Sequence, residues 1–115
     1  MNNYKLKRKA LSDLGVNCKH ALGFYSLNRG VARINIDDFI NKVDNYINNF
    51  DDSLDDMLND KSFKKYTLFR GIDNKLLLSI DYRRMNNHLV NNEKNKELLK
   101  QRLCVILLIL KEIEV

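Results

Sequence analysis

Residues 66–83 read YTLFRGIDNKLLLSIDYR, and the expected fold turns on them. From Lys75 to Arg83, Leu76, Leu78, Ile80 and Tyr82 alternate with Lys75, Leu77, Ser79, Asp81 and Arg83. A period of two is the signature of a strand. Upstream, Tyr66–Ile72 is rich in aromatic and β-branched residues, which favour strands. Asp73-Asn74 lies between, and both residue types tolerate the positive φ of a two-residue hairpin turn. Pairing Ile72 with Lys75 sets Phe69 opposite Leu78 and Thr67 opposite Ile80. The stretch therefore predicts a β-hairpin.

Outward from it, the other elements are read the same way. Ile36, Phe39, Ile40, Val43, Tyr46, Ile47, Phe50, Leu54, Met57 and Leu58 recur at three- and four-residue spacing. They predict one long amphipathic helix, kinked where Ser53 and Asp56 resemble a capping box, with Asn35 as its N-cap. Gly23–Leu27 and Val31–Asn35, joined by Asn28-Arg29-Gly30, predict a second hairpin. Tyr4–Leu14 fits a short helix ending at Gly15. Glu93–Ile113 fits a last helix, apolar all round from Leu103 to Leu110. The order is α-ββ-α-ββ-α, an α+β fold in a single domain spanning residues 1–115.

Charge is sorted along the chain. Residues 1–34 carry a net +6, residues 35–60 a net −7, residues 61–90 a net +5 and residues 91–115 a net +1. Such sorting creates local potentials that a total of +5 hides. The basic blocks point to an anionic partner. Around the 66–83 hairpin, Lys64, Lys65, Arg70, Lys75, Arg83 and Arg84 are placed to neutralise phosphates, and Tyr66 to stack on a base. The expected function is a small non-enzymatic nucleic-acid-binding regulator or accessory protein, with DNA and RNA undistinguished. A competing reading has the basic residues neutralised by the chain's own acidic helix. In the N-terminal cluster Lys5, Lys7, Arg8 and Lys9, a solvated helix face is the expected role, and in the nucleic-acid reading the cluster lies beside Lys64 and Lys65.

A second function class remains open at this stage. Asp51, Asp52, Asp55 and Asp56 could dock the chain on a basic or β-rich protein. That would suit an inhibitor or adaptor of the kind mobile elements encode. Leu103–Leu110 is expected to be covered on more than one side, either by the core or by a second copy in a homodimer.

No catalytic or metal signature is strong, so neither cofactor nor metal is expected. Cys18, His20, His88 and Cys104 lack paired zinc spacing. The two cysteines are expected to be buried thiols. The longest apolar run is eight residues, Leu103–Leu110, far short of the roughly 20 a membrane span requires. With no apolar run of signal length after the basic N-terminus, a cytoplasmic protein is expected.

Three local patterns resemble known families. Ala10, Leu14, Gly15, Val16, Asn17, Ala21 and Phe24 partly resemble a repressor-type helix-turn-helix, which would start its recognition helix at Lys19 and His20. Leu11 and Gly23 depart from that pattern. Leu22, Gly23, Phe24 and Gly30, with the αββ order, resemble LAGLIDADG-type DNA-binding folds. Ser26 stands near the place of that family's metal-binding acid, so no nuclease chemistry is implied. Arg83 and His88 fit the Arg-x4-His spacing of the HEPN ribonucleases, and that resemblance would imply acid–base chemistry on a phosphate.

Overall fold

The computed structural model describes residues 3–23, 28–73, 77–81, 86–89 and 93–115; for 78–81 and 86–89 it describes the backbone alone. Six helices and one short strand pair make up these residues. They are α1 (Tyr4–Asp13), α2 (Cys18–Ala21), α3 (Arg29–Asn48), α4 (Leu54–Asn59), α5 (Lys65–Leu68), β1 (Leu78–Asp81), β2 (Asn86–Leu89) and α6 (Glu93–Lys111). The protein is a small helical domain, and the expected α+β architecture is incorrect.

The first correction falls on the 66–83 hairpin. Tyr66 to Leu68 belong to α5, where the Thr67 and Leu68 N–H groups both donate to the Lys64 carbonyl. Leu68 and Phe69 are both buried, at 0% and 1% exposure. A strand would send these neighbours to opposite faces, whereas a helical turn takes both inward. Ile72, the expected last residue of the first strand, is 90% exposed. The chain does double back here, since the Leu77 N–H donates to the Phe69 carbonyl at 2.6 Å. That is one residue from the expected register. β1 pairs instead with a later segment, β2, in antiparallel register Leu78↔Leu89 to Asp81↔Asn86. Asn74–Leu76, the other half of the expected turn, lies outside the described residues.

The second hairpin is also absent as such. Val31–Asn35 lies inside α3, while Phe24–Leu27 falls outside the described residues. Asn28 is the N-cap of α3, in place of Asn35. Its side-chain oxygen accepts from the Gly30 N–H at 3.0 Å and the Val31 N–H at 3.3 Å. The buried stripe of α3 then runs Ala32, Ile36, Phe39, Val43, one turn earlier than the sequence reading starts it.

The long central helix is two. α3 ends at Asn48, the chain turns through Asn49–Ser53, and α4 begins at Leu54. Ser53 precedes α4 but its side chain makes no capping bond. Phe50, in the turn, stays in the core at 8% exposure.

The two terminal helices lie where their patterns place them. α6 buries Leu99, Leu103, Ile106 and Leu110 on one stripe. The starts of α1 and α3 both meet its end. Asn3 donates from Nδ2 to the Glu112 carbonyl and accepts at Oδ1 from the Glu114 N–H, each at 2.9 Å. Arg33 donates to the Ile113 carbonyl at 3.1 Å. Midway along α6, Arg102 donates to the Leu68 carbonyl at 2.8 Å. One apolar cluster joins all six helices, with Leu11, Ile36, Met57, Leu68, Leu103 and Ile106 among its sealed residues. No helix among the described residues is long and apolar enough to cross a membrane.

Candidate anion-binding cleft

The end of α1 builds one wall of the site. Gly15 takes φ +92°, which glycine adopts without the Cβ penalty. The Gly15 N–H donates to the Ser12 carbonyl at 3.0 Å and the Val16 N–H to the Leu11 carbonyl at 3.0 Å. Those two bonds form a Schellman cap, sealed by its usual apolar pair, here Leu11 and Val16, both 0% exposed. The chain leaving the cap pairs with a distant segment. Val16 bridges Phe63 in antiparallel fashion, and the Asn17 N–H donates to the Ser62 carbonyl at 2.8 Å. The Lys64 N–H donates to the Gly15 carbonyl. This pairing carries Lys64 to the side of α1.

The opposite wall is α2. Asn17 caps it, its side-chain oxygen accepting from the His20 N–H at 3.2 Å. The Cys18 thiol donates to the Arg8 carbonyl at 3.3 Å, tying α2 to α1. Between the walls lies a cavity of about 360 Å³ lined by Arg8, Lys9, Ser12, Asn17, Cys18, Lys19 and Lys64. Four cationic residues line it, with no carboxylate among its described lining residues. Lys64 is steadied by donating from Nζ to Ser12 Oγ at 3.1 Å, and the Arg8 guanidinium sits 6.0 Å from the centre of the Tyr4 ring. Burial pushes the Cys18 thiol above its ordinary pKa, although Arg8 and Lys64 pull the other way. It is therefore a neutral thiol at pH 7, without the thiolate a nucleophile needs. A smaller cavity of about 230 Å³ has both Asp38 and Lys42 in its lining, with His20 and Asn35, and so has no single sign.

The residues singled out from sequence divide between places. Lys64 lines the cleft. Lys65 is half-buried, and Tyr66 is 66% exposed on α5. Arg70 is exposed just beyond it. Lys75, Arg83 and Arg84 lie outside the described residues. Arg8 and Lys9, expected beside Lys64 in the nucleic-acid reading, line the same cavity as it, and Lys19, read from sequence only as the start of a recognition helix, joins them. Their basic character is visible in the sequence, but the approach of residues 15–17 to residues 62–64 is not. Arg8 is half-buried and Lys9 exposed, and both line the cavity.

Asp51, Asp52, Asp55 and Asp56 are all exposed, on the turn after α3 and the start of α4. Ion pairs among the described residues include Lys7 with Glu112, Arg33 with Asp37, Lys42 with Asp60 and Lys96 with Glu93. None links the acidic block to Lys61, Lys64 or Lys65, so internal neutralisation of those cations is not found there.

The other local patterns fare differently. α2 is four residues long and ends before Gly23, which has φ +75°, so no recognition helix follows Gly15. The αββ repeat behind the LAGLIDADG resemblance is not formed. Arg83 is outside the described residues, and His88 lies in β2 rather than near a helix start as in HEPN enzymes. Both cysteines are free, with Cys18 buried; Cys104, expected inside the core, is exposed. No three potential ligands group around a metal position among the described residues. Of the expected dimer surface, Leu103, Ile106 and Leu110 are consumed by the core, while Val105 (44%) and Leu108 (61%) stay exposed.

No protein family, curated protein or solved structure matches this chain.

Proposed function

We propose that this chain is a non-enzymatic nucleic-acid-binding protein of the cytoplasm, whose contact surface centres on the α1–α2 cleft. The observation that carries the reading is the lining of that cavity by Arg8, Lys9, Lys19 and Lys64 with no carboxylate among its lining residues. Cations gathered around one space favour phosphate, and each phosphate contact releases bound counterions. Lys65 and the exposed Tyr66 ring continue directly from Lys64, adding charge and an aromatic face on which an unpaired base can stack. Two free cysteines, one exposed, suit a reducing compartment.

The test is fluorescence anisotropy with short single- and double-stranded DNA and RNA, at about 50 and about 150 mM salt. Binding is expected to persist at the higher salt. In a Lys9→Ala, Lys19→Ala double variant it weakens at every salt, and the slope of log K against log salt becomes shallower by about two. Loss of all binding by 150 mM, or a slope that the double variant leaves unchanged, would remove this reading.

A second reading, docking on a basic protein partner, draws on the exposure of Asp51, Asp52, Asp55 and Asp56 and their absence from the ion pairs described. Converting all four to asparagine should abolish recovery of such a partner in a pull-down. Undiminished recovery would rule the surface out.

A further inference from the structure

We infer that the cleft seats a phosphomonoester, the terminal phosphate of a nucleic-acid strand, rather than a run of internal phosphodiesters. The inference rests on the nucleic-acid reading and narrows it.

The arrangement of charge comes first. A surface that follows a strand spreads its cations along the path of the backbone. Here Arg8 and Lys9 from α1, Lys19 from α2 and Lys64 from the segment before α5 border one space of about 360 Å³. Their mutual repulsion is relieved more by a dianion than by a monoanion. An internal phosphodiester carries a single negative charge. A terminal phosphate carries about −1.5 to −2 at pH 7 and presents three strong acceptor oxygens.

The neutral groups in the cavity also suit such a ligand. Ser12 Oγ accepts from Lys64, so its own proton remains to be donated. The Asn17 side-chain oxygen is taken by the His20 N–H, which leaves its NH2 as the amide's donating group. The planar guanidinium of Arg8 matches two oxygens on one phosphorus. The Cys18 thiol, kept protonated by burial, adds no opposing charge. Apart from Cys18, whose thiol already donates to the Arg8 carbonyl, the lining thus offers donors and cations, as a phosphate with three acceptor oxygens requires.

The cavity is also built before any ligand arrives. The Schellman cap at Gly15 and the pairing of Val16 with Phe63 set the backbone beside which Lys64 stands. A ligand therefore meets cations already assembled, and less ordering is needed on binding.

The experiment compares one oligonucleotide sequence with a 5′-phosphate, a 3′-phosphate or hydroxyl ends, at about 150 mM salt, with inorganic phosphate as a competitor. A phosphate-ended strand is expected to bind at least about tenfold tighter than the hydroxyl-ended one, as charge-assisted contacts allow. Inorganic phosphate should compete. Lys64→Ala should abolish the end preference while circular dichroism stays unchanged, because its backbone bond to Gly15 is retained. Lys9→Ala serves as the second variant, on a side chain that points from an exposed position of α1. Equal binding of all three oligonucleotides would overturn the inference and leave the nucleic-acid reading standing. Binding of inorganic phosphate with no oligonucleotide bound would overturn the nucleic-acid reading and keep the phosphate seat. If nothing binds, both fall.

Discussion

Gly15→Ala is expected to lower the unfolding free energy by at least about 3 kcal/mol, more than the same change at Gly23 or Gly30. Two costs combine. The backbone at Gly15 has φ +92°, where an L side chain costs about 1–2 kcal/mol. In addition, a Cβ there would lie 2.5 Å from the Leu68 nitrogen and 3.0 Å from its Cα. These are backbone atoms of α5, so relief requires a helix to move rather than a side chain to rotate. For a domain of this size the melting temperature should fall by roughly 10 °C or more. Urea denaturation followed by circular dichroism measures it, and a loss below about 1 kcal/mol would show that the close approach of Gly15 to α5 is not made. The same displacement would carry Lys64 away from α1. At temperatures where the variant is still folded, phosphate binding should therefore weaken with it.

Asp60→Ala is expected to cost about 2–3 kcal/mol at pH 7. The Asp60 side chain is only 9% exposed and holds together three groups. Tyr46 donates to it from its hydroxyl at 2.7 Å, the Ser62 N–H donates at 2.8 Å, and Lys42 Nζ lies at 3.3 Å. Truncation leaves the phenol and the buried Ser62 amide without their acceptor. Burial and the neighbouring carboxylate hold the Tyr46 phenol protonated well above its ordinary range, so it is a donor at every accessible pH. For Asp60 itself, burial alone would raise the carboxyl pKa. The Tyr46 and Ser62 hydrogen bonds and the Lys42 charge outweigh burial and hold it below its ordinary value. A carboxyl depressed in the folded state stabilises above its unfolded pKa of about 4, and that contribution is lost as pH falls through the folded value. The gap between wild type and Asp60→Ala should thus be full at pH 7 and shrink below about pH 4. Urea titrations at several pH values check this. A gap that stays constant down to pH 2, or widens there, would contradict the assignment.

How much of this was legible beforehand depends on the range of the forces involved. α1 and its stop at Gly15 could be read because the apolar spacing and the cap act within two turns of the same helix. α6 could be read for the same reason, its stripe from Leu99 to Leu110 keeping phase throughout. Asn28-Arg29-Gly30 was ambiguous because Asn and Gly serve a hairpin turn and a helix N-cap equally well. Ala32, one turn before Ile36, was the signal for the cap, but alanine alone marks a face weakly. The segment Tyr66–Phe69 misled through composition. Its aromatic and β-branched residues favour strands, yet two adjacent apolar side chains, Leu68 and Phe69, are both buried in the core.

The candidate site shows the same division. Its cations stand plainly in the sequence, and Lys64 was singled out there, but nothing local associates it with Arg8, Lys9 and Lys19. What residue order determined by itself is the inventory: the apolar stripes of α1 and α6, the Schellman glycine, and blocks of basic and acidic charge. These depend on periodicity and capping, which operate over a few residues. Only the tertiary structure decided that the central helix breaks at Asn49–Ser53, that Lys65–Leu68 turns as a helix, and that four cations border one cavity. Each of those outcomes depends on which distant surfaces bury one another. For the cleft it is the pairing of Val16 with Phe63, whose partners lie on opposite sides of α3 in the chain.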